Sequence, residues 1–243
     1  MRRILLITFI ISVHLISFSC HKSSGGNVSP ASVNIINAMA TSQPIIPVFG
    51  TTGAIQYFSN AQTVSYTSSV LYSPLSGSNS LYIVQQTGTD TLLTDTKRMM
   101  FNGSLNLTAG GIYSFFLAGD TTKPDTLFVQ DNIPYYSDSS AGVRIVNLSP
   151  GSQPISVNIQ GNLPSQMEFS GLTYKGISSF KKYPANSSIP GNYSFELRDQ
   201  ASGSLLATFT WNYALFKNNT VVIAGSEALG SSTPLQAFQI NNF

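Results

Sequence analysis

VRIVNLSPGSQPI, from Val143 to Ile155, repeats VNIINAMATSQPI, from Val33 to Ile45, at a shift of 110 residues. Seven positions coincide: Val33 with Val143, Ile35 with Ile145, Asn37 with Asn147, Ser42 with Ser152, Gln43 with Gln153, Pro44 with Pro154 and Ile45 with Ile155. Within each copy Val, Ile and Asn alternate with the residues between them, the two-residue period of a sheet. A polar loop then closes on Gln-Pro before an apolar run restarts. Asparagine bonds local backbone and tolerates turn geometry, and proline biases its predecessor toward extended structure, so the block reads as a structural corner between strands. A ligand site on the paired corners is the other reading.

A second echo pairs Ala118-Gly119 with Ala224-Gly225, so the two copies differ only by small insertions. Units of about a hundred residues match one β-sandwich domain and exceed the repeats of a solenoid. Further strand-forming runs are Ser80 to Gln85, Ile112 to Ala118, Thr126 to Val129, Asn192 to Arg198, Ser204 to Trp211 and Thr220 to Ala224. Gly110-Gly111 and the stretch from Asp199 to Gly203 each lie between two such runs and are expected to be hairpin connections. The best helical candidate, Thr96 to Phe101, is too short to stand without tertiary help. The expected fold class is all-β: two tandem immunoglobulin-like or transthyretin-like β-sandwiches, residues 31–132 and 133–243, behind a signal (1–19) and a flexible tether (20–30).

The N-terminal segment opens Met1-Arg2-Arg3, runs through apolar Ile4 to Ile16 and ends at Cys20, the only cysteine of 243 residues. A positive start, a short apolar core and small residues at its exit make a secretory signal. Thr8, Ser12 and His14 interrupt a core already short of the roughly 20 apolar residues that span a bilayer. Here the chain resembles a bacterial lipoprotein precursor, whose cysteine carries a diacylglycerol and becomes the new N-terminus. Ser19 suits that signal; Ser17 and Phe18 depart from its usual pattern. An ordinary secretory signal and a retained anchor are the alternatives. A disulfide-using exported chain would carry paired cysteines, and a single one points to another task. The resemblance implies lipid attachment at Cys20, a membrane partner through that lipid, and an outer-membrane lipoprotein facing the periplasm or the surface. The following His21-Lys22-Ser23-Ser24-Gly25-Gly26-Asn27 has the composition of a flexible linker.

VRIVNLSPGSQPISVNIQG, from Val143 to Gly161, resembles the domain of unknown function 4397, whose signature is an alternating strand, Asn-x-Ser-Pro and a short loop. The first copy is more divergent, with Ala38-Met39-Ala40 in place of Leu148-Ser149-Pro150. The segment Thr126 to Asn132 is similar to the inter-unit segment of exported bacterial members. The resemblance spans roughly residues 29 to 243, implies an exported β-sandwich, and transfers no catalytic residue.

Losing the signal removes two of the twelve basic residues and leaves them balanced against ten acidic ones. Only the pairs Lys97-Arg98 and Lys181-Lys182 remain, so the basic footprint of a nucleic-acid binder is absent. Beyond the signal the sole histidine is His21, in the linker. A Ser-His-Asp set, a Cys-His pair and a zinc site all fail for want of it. There is no phosphate-cradling loop and no EF-hand, and no cofactor is implied. Carboxylate pairs remain: Asp90 with Asp95, Asp120 with Asp125, or a convergence of Glu168, Glu196 and Asp199, any of which would suit an envelope hydrolase.

Aromatic residues are mostly expected in the core, Trp211 with Phe209 and Tyr213 on one strand face among them. Tyr135-Tyr136, Tyr174 and Tyr183 are the candidates for stacking on sugars or a protein partner. Asp90-Thr91-Leu92, Asp120-Thr121-Thr122 and Asp125-Thr126-Leu127 resemble the O-glycosylation acceptor motif of some Gram-negative envelope systems, which implicates Thr91, Thr121 and Thr126; chance recurrence in a threonine-rich chain is the alternative. The sequence thus reads as a non-catalytic envelope module for interaction, adhesion or structure. A carbohydrate-binding surface module is the alternative, and envelope protein or glycan the expected partner.

Overall fold

The computed structural model describes residues 29–40, 43–50, 62–85, 99–185, 191–228 and 231–242. Among them every regular element is a strand. The first copy supplies β1 (Ser32–Asn37), β2 (Ile45–Phe49), β3 (Ser68–Tyr72), β4 (Gly77–Gln85), β5 (Met99–Leu107), β6 (Ile112–Gly119) and β7 (Pro124–Gln130). The second supplies β8 (Ala141–Asn147), β9 (Ile155–Ile159), β10 (Phe169–Leu172), β11 (Lys181–Tyr183), β12 (Asn192–Asp199), β13 (Leu205–Asn212), β14 (Asn218–Ala224) and β15 (Gln236–Asn242). The sheets run β3-β1-β6-β7 and β2-β4-β5 in the first copy, and β11-β8-β14-β15 and β10-β9-β12-β13 in the second. The opening strand of each copy pairs parallel with a late strand, β1 with β6 and β8 with β14. An immunoglobulin constant domain pairs its first strand with its second. The sheets are thus sandwich-like, as expected, but depart from the immunoglobulin constant order.

The four sheets stack as four layers because the two inner ones are apolar on both faces. Val33 and Ile35 of β1 pack into their own sandwich with Phe115, Leu81 and Ile83, and Val143 and Ile145 of β8 do so with Phe195, Leu197 and Trp211. The intervening residues Ile36, Phe116, Val146 and Val222 are 0% exposed and meet each other across the copies. The sequence predicts alternating strands without saying what covers their second face. All seven residues of β8 and of β14 are buried. Each such apolar side chain contributes about 1.5–3 kcal/mol of burial.

The repeated block is a corner, built the same way twice. The Asn37 carboxamide donates to the Val64 carbonyl at 3.0 Å and accepts from the Met39 amide at 3.1 Å. Asn147 donates to the Leu172 carbonyl at 2.9 Å and accepts from the Ser149 amide at 3.0 Å. Val64 bridges Ile45 and Leu172 pairs with Ile155, so each asparagine stitches one sheet of its sandwich to the other. The carbonyls of Asn37 and Asn147 accept the amides of Thr67 and Lys175, both at positive φ (65° and 64°). The Ala-Gly echo has a physical cause too. Gly119 and Gly225 sit at φ +78° and +89°, and a Cβ on either would lie 2.3 Å from a backbone carbonyl oxygen, of Lys123 and Pro234 respectively.

Two expectations are corrected. Gly110-Gly111 is not a hairpin turn: β5 pairs with β4, and β6 with β1 and β7, so the turn carries the chain between sheets. Residues 99–101 of the helical candidate open β5 instead, where Phe101 packs edge-on against Phe115 at 4.8 Å; its first three residues lie outside the described ones. The stretch from Asp199 to Gly203 does join the antiparallel neighbours β12 and β13.

Candidate functional site

The carboxylates are occupied one by one. Glu168 accepts from Lys181 and from the Tyr183 hydroxyl at 2.7 Å. Burial works against its ionisation, but those two donors outweigh it and hold the carboxyl below its usual range. Glu196 is clasped by Arg198 at 2.7 Å. Asp199 caps the turn at Ser202, 2.7 Å from its amide, and the bonds from Ser202 lower its pKa. Asp120 likewise caps its own turn through Thr122 and Lys123. Burial also opposes ionisation of Asp125, yet Lys175, the Thr126 amide and Tyr174 together draw its carboxyl below the usual range. Each of these acids has its own partners, and no two of them share one in the bonds described here. Among the described residues no three potential metal ligands come together. Asp90, Asp95, Thr91 and Cys20 lie outside the described residues.

Of the aromatic candidates, Tyr135 is 82% exposed. Tyr136 lies under the Lys182 ammonium, 5.6 Å from its ring. Tyr174 is spent on Asp125 of the other copy, 3.1 Å away. Tyr183 is not on a loop but in β11, buried, with its ring edge-on to Trp211 at 5.5 Å. Burial and Glu168 push its phenol up. Thr121 is exposed on the β6–β7 turn, and Thr126 is half-buried in β7, its amide bonded to Asp125 at 2.7 Å.

The surface feature with most chemical character was missed by the sequence reading. Along the edge where β13 and β15 approach, a groove of about 430 Å³ is lined by Asn212, Tyr213, Lys217, Asn219, Gln239 and Asn241, among others. A second hollow of about 450 Å³ shares Gln239 and Asn241 and continues over Asn34, Ser68, Ser69 and Leu71 of the first copy. Its amides are set in order by one group that can only donate. The Trp211 indole N–H bonds Asn219 Oδ1 at 2.9 Å, which fixes Asn219 Nδ2 as the donor to Asn241 Oδ1 at 2.9 Å. Asn241, which lines both hollows, thus has its Oδ1 committed as the acceptor. Gln239 meets the Asn212 backbone with both ends, Nε2 to the carbonyl at 2.9 Å and Oε1 from the amide at 3.2 Å, as a neighbouring strand would. Among the described residues Lys217 is the one charged residue on this lining. The signal available in sequence was the pair of doublets Asn218-Asn219 and Asn241-Asn242, polar residues crowded at the ends of strands.

No protein-family model and no curated protein matches the chain. Similar solved structures include a family 26 carbohydrate-binding module from Eubacterium rectale in complex with maltoheptaose (10% identity, 87% of this chain and 97% of that one, TM-score 0.27). Others are a streptococcal virulence factor described by its α-glucan binding (10%, 81% and 93%, 0.25) and an adhesin from Bacteroides ovatus (11%, 87% and 92%, 0.23).

Proposed function

We propose that this chain is a lipid-anchored, non-catalytic module of the bacterial envelope whose two repeats, 31–132 and 133–243, act as one body that holds a neutral, hydroxyl-rich ligand, a glycan, in the amide groove. The observation that carries this reading is the oriented Trp211–Asn219–Asn241 relay opening onto a groove with a single charge. Carboxamides both donate and accept, so they match sugar hydroxyls without needing a counter-charge, and Tyr213 offers an apolar ring at the groove wall. Among the described lining residues an anionic ligand would find only Lys217. The anchoring part rests on the signal ending at Cys20 and the linker behind it; two or more acyl chains hold a protein to a bilayer where one does not.

A glycan array probed with the full chain tests the groove. Binding to neutral oligosaccharides is expected, and a flat response across a broad panel overturns the ligand assignment. Replacing Cys20 by alanine tests the anchor: the variant is expected to leave the membrane fraction in a high-salt wash, and its retention contradicts lipid attachment. Acceptor use at Thr91, Thr121 and Thr126 belongs to the same envelope reading, and intact-mass measurement of natively expressed protein decides it.

A further inference from the structure

Four of the large apolar side chains exposed on this surface gather at the end where the linker joins the body. The backbone of Ser29 and Pro30 is fixed there by the Ser76 and Gly110 amides at 3.1 and 3.0 Å, and Pro30 bridges Leu75, which is 58% exposed. The Asp131 amide bonds the Ile112 carbonyl at 2.7 Å, so the connector between the copies starts from the same end. Asn218 then holds the Pro134 carbonyl at 2.8 Å, next to Tyr135 at 82% exposure. The Phe216 amide bonds the Ser140 carbonyl at 3.2 Å, leaving Leu215 and Phe216 46% and 47% exposed. Phe216 is displayed at φ +62°, a conformation that costs a bulky residue energy and that tends to persist where display is used.

We infer that this end docks on the bilayer that holds the lipid, with Tyr135, Leu215 and Phe216 entering the interface and Leu75 beside them. The inference rests on the anchor proposed above. Eight residues, nine Cα steps, separate Cys20 from Ser29, a reach of at most about 32 Å fully extended. The anchored body is thus kept at high effective concentration over the membrane with this end foremost. Tyrosine favours the headgroup level, and leucine and phenylalanine gain from the acyl boundary beneath it. Lys217, the residue after Phe216, is exposed and adds a positive charge that anionic headgroups attract. The acid at this tip, Asp138, is already neutralised by Lys182 at 2.5 Å.

The test uses the full lipidated chain reconstituted into phosphatidylethanolamine/phosphatidylglycerol vesicles with brominated acyl chains. Trp211 is the only tryptophan and is 0% exposed, so it supplies an unquenched baseline and a check of folding. Tyr135→Trp and Phe216→Trp are expected to lose at least half of their added emission to the bromines. Leu205→Trp, at the far end of β13, is expected to lose none. Vesicle-bound Tyr135→Trp and Phe216→Trp proteins that keep all of their added emission overturn the docking and leave the anchor standing. Protein that does not float with the vesicles overturns the anchor and the docking together.

Discussion

Asp131 and Arg144 lie 2.6 Å apart with side chains only 1% and 5% exposed, and they close the connector between the two copies from the inside. The pair is fully dressed. Ser114 donates to the second oxygen of Asp131 at 2.7 Å, Arg144 Nε reaches Thr220 at 2.8 Å, and Thr220 in turn bonds Asn242 at 2.6 Å. The Phe180 ring covers the guanidinium at 4.8 Å. In the first copy Asn34 stands where the second has Arg144.

Removing one partner strands a buried charge. Asp131→Ala is expected to cost about 3–5 kcal/mol in urea unfolding, whereas replacing both residues by apolar ones of similar volume costs far less. A single loss within experimental error would show the pair to be solvated.

The copies share a core and are expected to unfold together. Phe116→Ala removes a fully buried ring from the first copy, a cost of about 3–5 kcal/mol, and Trp211 reports from the second. Tryptophan emission in Phe116→Ala is expected to change at a lower urea concentration than in the wild type, coincident with loss of the far-ultraviolet signal. An unshifted Trp211 transition would separate the two units.

The corner asparagines hold both sheets, so truncating either leaves a buried carbonyl without its donor. Asn37→Ala and Asn147→Ala are each expected to lose about 1–3 kcal/mol; the Asn147 carboxamide also bonds Ser152 at 2.9 Å. Denaturation midpoints measure this.

Glu168 and Tyr183 give the stability curve two limbs. The Glu168 pKa is lowered in the fold, so its contribution is present above the ordinary glutamate value and is lost as pH falls through the folded one. Tyr183 is raised, so its contribution is complete below the ordinary tyrosine value and fades as pH rises beyond about 10. Glu168→Gln is expected to flatten the acid limb and Tyr183→Phe the alkaline one, read as melting temperature against pH.

The all-β class and the twofold repeat were legible because Val33/Val143, Asn37/Asn147 and Gly119/Gly225 each answer a local demand of strand, corner or tight backbone approach. What lay beyond reading was long-range. Ile36 and Val146 looked like the second face of ordinary strands, and only packing of sheet on sheet makes them an interior. The partnership of Arg144 with Asp131 could not be read from spacing, because the two meet only once the connector folds back. The groove amides come from β13, β14 and β15, and nothing in their spacing announces that Trp211 orders them.

The assignment of the groove is tested most directly by the affinity of a neutral oligosaccharide for the full chain and for Asn241→Ala, measured by calorimetry alongside melting temperature. Asn241 is exposed but accepts from the buried Asn219 carboxamide at 2.9 Å, so the variant is expected to melt a few degrees below the wild type, still folded at the assay temperature, while binding at least tenfold more weakly. Equal affinity in the two proteins, or no heat of binding in either, would contradict the account.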